Sequence, residues 1–200
     1  MAIVVEHEKR RYEILEKALD IFIEEGYEDA TFQKIADRCG ITRTTLYLYF
    51  KNKREIFVWS IKQLTEGLEK DLRDKMTEPG LSARDCLESV LYMILDRGVE
   101  NSKLFNIILT YLLQAQKSGK DPDSRVKRRS IRLRHLLSQI LIAGKASGEF
   151  RADINVKDAN ELFYCLIESS IYRIAILNRS QVDDVKSVIS LAIHGICSST

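Results

Sequence analysis

Apolar residues recur at helical spacing along most of the chain, and capping residues, glycines and one proline–glycine break cut that pattern into segments. Ile14, Leu15, Ala18, Leu19, Phe22 and Ile23 share one face and predict a first helix from about Glu8 to Glu25, ended by Gly26. Thr31 stands at an N-cap position, Ile35 and Ala36 face inward from the short helix it opens, and Gly40 can take the left-handed conformation that stops it. Ile41 then plugs the angle to a second short helix, Arg43 to about Phe50, which Thr42 can cap and Leu46 can anchor. Asn52 with Glu55 reads as a capping box opening a long helix to about Met76, with the stripe Ile61, Leu64, Leu68 and Leu72. Beyond the break Thr77-Glu78-Pro79-Gly80, helices are expected from Ser82 to about Arg97, Ser102 to about Lys117, Asp121 to about Ala143, Asn155 to Asn178 and Ser180 to about Ile196. A turn is expected at Gly148-Glu149-Phe150-Arg151. No stretch sustains the alternation of a strand, so the fold class is all-α.

Composition narrows the function without naming it. The 200 residues, 45% hydrophobic and 30% charged, suit one or two small globular domains. A net charge of +2 says nothing about nucleic acid by itself, but its distribution does. Lys34, Arg38, Arg43, Lys51, Lys53 and Arg54 cluster against Asp37 alone between Thr31 and Arg54. Cys39, Cys86, Cys165 and Cys197 are far apart and lack zinc-type spacing, which fits reduced thiols. His7, His135 and His194 are isolated, and no phosphate loop, nucleophile elbow or metalloprotease motif is present. No enzyme, catalytic residue, metal or cofactor is therefore expected. The apolar run at the start is too short for a signal peptide and none is long enough to span a bilayer, so a cytoplasmic protein without a membrane partner is expected.

Two short helices joined by a tight glycine turn make a helix-turn-helix. In that motif the N-terminal residues of the second helix reach base edges in the major groove. Here those residues are Thr42, Arg43, Thr44 and Thr45, with Tyr47 one turn on. Arg can bind guanine with two hydrogen bonds and Thr can touch a thymine methyl, while the surrounding cations would contact phosphates and set register. An ordinary helical hairpin with a solvated basic face has the same outline. Lys9, Arg10 and Arg11 fit equally a basic arm and a solvated terminus.

From Tyr12 to about Trp59 the sequence resembles the DNA-binding domain of the TetR family of bacterial transcriptional regulators. The resemblance rests on Gly26-Tyr27, Thr31, Ile35-Ala36, Gly40-Ile41, Thr45-Leu46-Tyr47, Tyr49-Phe50, Lys53 and Ile56-Phe57. Tyr49 stands where His is also common in that family. The resemblance implies a three-helix helix-turn-helix domain over 1–58 and a helical effector-binding and dimerisation domain over 59–200. It also implies base or backbone contacts from Thr42, Arg43, Thr44, Thr45 and Tyr47, and phosphate contacts from Thr31, Tyr49 and Lys53.

The remaining helices carry two further expectations. TetR-like proteins pair their last two helices with a second copy as a four-helix bundle. The apolar faces that would do so here include Leu162, Leu166 and Ile174, then Val185, Ile189 and Ile193. The resemblance also implies an effector cavity among the middle helices, with Tyr92, Met93, Phe105, Ile108, Tyr111, Leu112, Phe163 and Tyr164 as candidate lining. Each of these fits plain core as well. Such walls favour a mostly apolar effector. Arg128 and Arg132, on the basic run Arg125–Arg134, offer an anionic effector a fork of donors or form a solvated face. The expected protein is a ligand-responsive repressor that binds a palindromic DNA operator as a homodimer and is released by a small-molecule effector. The alternative is an architectural or partner-controlled DNA-binding protein without an effector.

Overall fold

A computed structural model describes the backbone of residues 2–117, 124–177 and 182–198, and the side chains of these except 2–4 and 124–130. Among the described residues the chain forms nine helices and no strand, an all-α fold: α1 (Ala2–Asp29), α2 (Phe32–Cys39), α3 (Arg43–Tyr47), α4 (Lys53–Met76), α5 (Ala83–Glu100), α6 (Ser102–Lys117), α7 (Ser124–Ser147), α8 (Val156–Ala175) and α9 (Asp183–Ile196). They divide into two compact units, Met1–Gly67 with Ile107–Lys120, and Leu68–Asn106 with Asp121–Thr200. The break therefore falls inside α4 and inside α6 rather than in a linker.

The first unit is built on α1. Gly26 leaves the helical region at φ 86°, a value an L side chain rarely adopts, and the last turn is redirected there. Ile14, Ala18, Ile21 and Phe22 of α1 meet Ile35 and Ala36 of α2, Leu46 of α3, and Ile56 and Phe57 of α4 in a closed apolar core. Ala36 and its neighbour Ile35 have no exposed surface, so both lie on the inward face of α2. The core continues into α6, whose Tyr111 is buried and whose Ile107, Ile108 and Leu112 pack against it.

Phe22, Tyr27, Phe57 and Tyr111 form an aromatic cluster, with Phe57 4.9–5.0 Å from each of the other three ring centroids. Burial first, and the neighbouring Tyr111 phenol second, push the Tyr27 phenol up to about 12 from 10.0. An unfolded chain sheds this proton near pH 10 while the folded chain keeps it, so the unfolded state binds fewer protons in between. The Tyr27 contribution is thus complete below pH 10 and lost as pH rises through about 12. Melting temperatures across that alkaline range should fall less steeply in Tyr27→Phe than in the wild type. Parallel curves for the two proteins would count against this assignment.

The second unit is organised around α5, which packs on α7, α8 and α9. Leu87, Val90, Leu91, Ile94 and Leu95 of α5 meet Leu137 and Leu141 of α7, Phe163 and Ile167 of α8, and Ile189 and Ile193 of α9. Ser82 caps α5 by accepting from the Asp85 N–H at 3.0 Å, and Asn155 caps α8 by accepting from the Lys157 N–H at 2.9 Å. The turn at 148–151 ties to the end of α9. Arg151 N donates to Ile196 O at 3.0 Å, and Ser198 N donates to Glu149 O at 2.9 Å. The caps expected at Asp121 and Ser180 lie outside the described residues.

Candidate nucleic-acid interface

The helix-turn-helix is closed at each end by side chains the sequence supplies locally. Thr31 Oγ1 accepts from Lys34 N at 3.2 Å, which leaves its own hydroxyl proton to donate outward. Gly40, at φ 66° and ψ 35°, ends α2 in the left-handed region, with its N–H on Asp37 O and the Ile41 N–H on Ala36 O. Thr42 Oγ1 then accepts from Thr45 N at 3.1 Å and opens α3. Its hydroxyl also meets that of Thr45 at 2.8 Å, so Thr45 is partly engaged in the cap.

Of the α3 side chains only Leu46 is buried; Thr42, Arg43, Thr44 and Tyr47 are exposed and Thr45 is intermediate. Two of the exposed side chains, Arg43 and Tyr47, are also held. The Tyr47 ring packs 4.6 Å from the Phe32 ring, and Arg43 donates to the Tyr47 hydroxyl at 3.2 Å. A base reader with its rotamer already restricted loses less entropy on binding. Leu48 is a further surface residue here, not among those expected to reach the DNA; it follows α3 directly and is 75% exposed. It is apolar but two positions from the buried Leu46, off the inward face, and that spacing is the mark it leaves in the sequence.

The cations around α3 are not equivalent. Arg38 forms a two-pronged pair with Glu24, which holds that carboxyl below its usual range and raises the guanidinium. Lys34 pairs with Glu25 at 2.7 Å. Both partners lie on α1, so each pair links α2 to α1 at the surface. Arg10 donates to Cys39 O at 3.2 Å, and the Arg11 guanidinium lies 4.4 Å from the Trp59 ring centroid. Lys53 Nζ donates to Tyr27 O at 2.7 Å and Glu28 O at 3.0 Å, above the Tyr27 ring. It satisfies carbonyls at the end of α1 and keeps one N–H for another acceptor. Tyr49 is half-buried and stacks on His7 with ring centroids 4.6 Å apart. Asn52 Oδ1 accepts from Glu55 N at 2.9 Å and Glu55 takes Lys51 N at 2.7 Å, so the expected capping box forms with its return bond one residue early.

The other candidate residues are dispersed. Ile108, Tyr111 and Leu112 pack in the first unit, with the helix-turn-helix. Tyr92, Met93, Phe105, Phe163 and Tyr164 belong to the second. There the Tyr92 hydroxyl bonds Glu88 and Lys186 O, Phe163 is fully buried, and Arg134 lies 3.7 Å above the Tyr164 ring while pairing with Glu161. Arg132 pairs with Glu69 at 3.2 Å, and the Arg128 side chain lies outside the described ones. On the last two helices, Ile174, Val185, Ile189 and Ile193 are buried within their own chain. Leu166 packs partly buried against that core and Leu162 is 45% exposed. The exposed apolar residues of α9 are Val188 and Leu191, one helical turn apart and off the stripe of Val185, Ile189 and Ile193. Among the described residues no helix is long and apolar enough to cross a membrane, and no three His, Cys, Asp or Glu side chains gather where they could hold a metal ion.

This geometry has relatives. The family model described as bacterial regulatory proteins, tetR family, matches residues 14–58. The chain is 32% identical over 107 residues to the uncharacterized HTH-type transcriptional regulator TtgW of Pseudomonas putida, covering 53% of this chain and 76% of that protein. It is 26% identical over 193 residues to the fatty acid metabolism regulator protein of Bacillus subtilis, covering 92% and 94% of the two chains. Its fold matches the crystal structure of the transcriptional regulator FadR from Bacillus subtilis in complex with stearoyl-CoA, with a TM-score of 0.72, 20% identity, and 94% and 98% of the two chains covered. With the family's segment falling on the helix-turn-helix described above, and a relative of this identity matched over most of its length, the chain belongs to the tetR family of bacterial regulatory proteins and is a DNA-binding transcriptional regulator.

Proposed function

We propose that this chain is a ligand-responsive repressor, acting in the cytoplasm as a homodimer on a palindromic operator and released by a small, mostly apolar effector. The carrying observation is the outward edge of α3, where Arg43, Thr44 and Tyr47 stand exposed on a capped helix whose inward residue is buried. In this reading Thr42, Arg43, Thr44, Thr45, Tyr47 and Leu48 face the bases, and Thr31, Tyr49, Lys51 and Lys53 face the phosphates. No catalytic step is assigned. Pairing would run through the exposed apolar residues Leu162, Val188 and Leu191 of α8 and α9, which gives two recognition helices for half-sites roughly 34–36 Å apart. The Bacillus subtilis relatives, one named for fatty acid metabolism and one holding stearoyl-CoA, support a long-chain acyl thioester as effector. Its chain would suit apolar walls and its anionic end an arginine such as Arg132. Release requires the effector to favour one of two states, with couplings of about 1–3 kcal/mol. α4 and α6, which each run through both units, are the elements that would carry that shift.

Selecting duplexes from a random pool and measuring affinity over a salt series tests the reading. A two-fold-symmetric site, released by long-chain acyl-CoA, is expected; binding without an enriched motif would point to an architectural protein instead. With that site in hand, Thr44→Ala and Tyr47→Ala should each reduce the preference for operator over random DNA by about 1–3 kcal/mol, the worth of one good base interaction. Lys51→Ala should weaken both DNAs equally and reduce the salt slope by about one. Lys51 is the cleaner phosphate probe, because Lys53 also holds two carbonyls of α1. Equal losses on both DNAs for all three variants would refute the division between base readers and phosphate contacts.

A further inference from the structure

Tyr111 lies on α6, outside the 14–58 segment shared by the family, and 57 residues from the α4 residue it bonds. Its side chain is nevertheless part of the core of the DNA-binding unit, 7% exposed, with its ring 4.9 Å from Tyr27 and 5.0 Å from Phe57. We propose that Tyr111 is a positioning residue for DNA binding, fixing from α6 the first turn of α4 and with it the cations Lys53 and Arg54. Two separate contacts do this. The Tyr111 hydroxyl accepts from Arg54 Nε at 3.0 Å, which sets the direction in which the guanidinium leaves α4. The Tyr111 ring meets Tyr27 at a steep angle, and Tyr27 is both the ring beneath the Lys53 ammonium and the carbonyl that accepts from it at 2.7 Å. Lys53 and Arg54 follow the exposed Lys51, at the start of a helix whose N–H dipoles favour an anion. A small rotation of that turn would change where its charge meets a phosphate. Operator affinity therefore depends on a side chain that a helix-turn-helix cut from the chain would lack.

The inference rests on reading the first turn of α4 as part of the DNA-contacting surface, and a double-mutant cycle on the full chain separates the two. Tyr111→Phe keeps the ring and removes only the acceptor, so its melting curve should stay close to the wild type. It should weaken operator binding by roughly two- to tenfold, the range for one missing hydrogen bond, with an altered salt slope. In an Arg54→Ala background the same substitution should have no further effect, because the residue it acts through is gone. Tyr111→Leu, which also removes the support under Tyr27, should cost more affinity than Tyr111→Phe. An unchanged affinity in Tyr111→Phe, or the same loss with and without Arg54, overturns the inference. If Lys53→Ala and Arg54→Ala both leave operator binding untouched, the reading of this turn as a DNA contact fails instead, and any effect of Tyr111→Phe is then packing alone.

Discussion

Replacing Phe57 with alanine is expected to destabilise the protein by about 3–5 kcal/mol and to abolish operator binding at growth temperature. Phe57 has no exposed surface and is the hub of the aromatic cluster, touching Phe22 of α1, Tyr27 beyond the Gly26 bend, and Tyr111 of α6. Truncation leaves a cavity among three large rings that cannot all collapse into it, because each is anchored on a different segment. Against a typical stability of about 5–15 kcal/mol this is a large share. The melting temperature should drop by on the order of 10 °C. Binding should fail with it, since α4 and α1 hold α3 through this core. Thermal denaturation and operator titration of the same sample check both; a melt within a few degrees of the wild type would show that the cluster repacks.

Gly144→Ala is expected to destabilise by about 1–3 kcal/mol, against the usual preference of a helix for alanine. A Cβ at 144 would lie 2.3 Å from two ring carbons of Phe150 and 2.9 Å from the Ala83 Cβ. Phe150 is 1% exposed within the core of the second unit and its backbone N–H is held by Gly144 O at 3.0 Å, so neither the packed ring nor the turn that carries it has room to move aside freely. The matched control is Gly67→Ala in α4, where nothing lies within 4 Å of the added atom and propensity alone should decide. That variant should gain about 0.8–1 kcal/mol. The same chemical change is thus expected to have opposite signs at two helical positions, which melting curves for the pair read directly. A stabilised Gly144→Ala would mean that α7 and Phe150 separate more easily than their packing suggests.

Local signals carried much of the architecture. Thr31, Thr42, Ser82 and Asn155 cap the helices that their hydroxyl or amide position announces, and Gly40 closes α2 in the left-handed region. Each of these depends on bonds between residues only a few positions apart, which one sequence displays in full. Helix ends were less legible. α1 starts at Ala2 rather than near Glu8, α3 stops at Tyr47 rather than Phe50, and α5 runs on to Glu100. These ends are set by what packs against them, such as His7 stacked on Tyr49 and Arg10 on the Cys39 carbonyl.

Caps, glycines and a 3.6-residue period are local physics, and they suffice for the set of helices, the helix-turn-helix and the residues presented along its second helix. How each face and each charge is used emerges only when the helices pack. Ile189 and Ile193 turned inward while Val188 and Leu191 stayed out, because a helix with two apolar stripes does not say which one its own chain will cover. Lys34 and Arg38 are tied to α1 and Lys53 to its carbonyls, whereas charge counting treats all cations alike. Tyr111 joined the DNA-binding core from 57 residues beyond Arg54, a meeting of distant segments that no local pattern encodes.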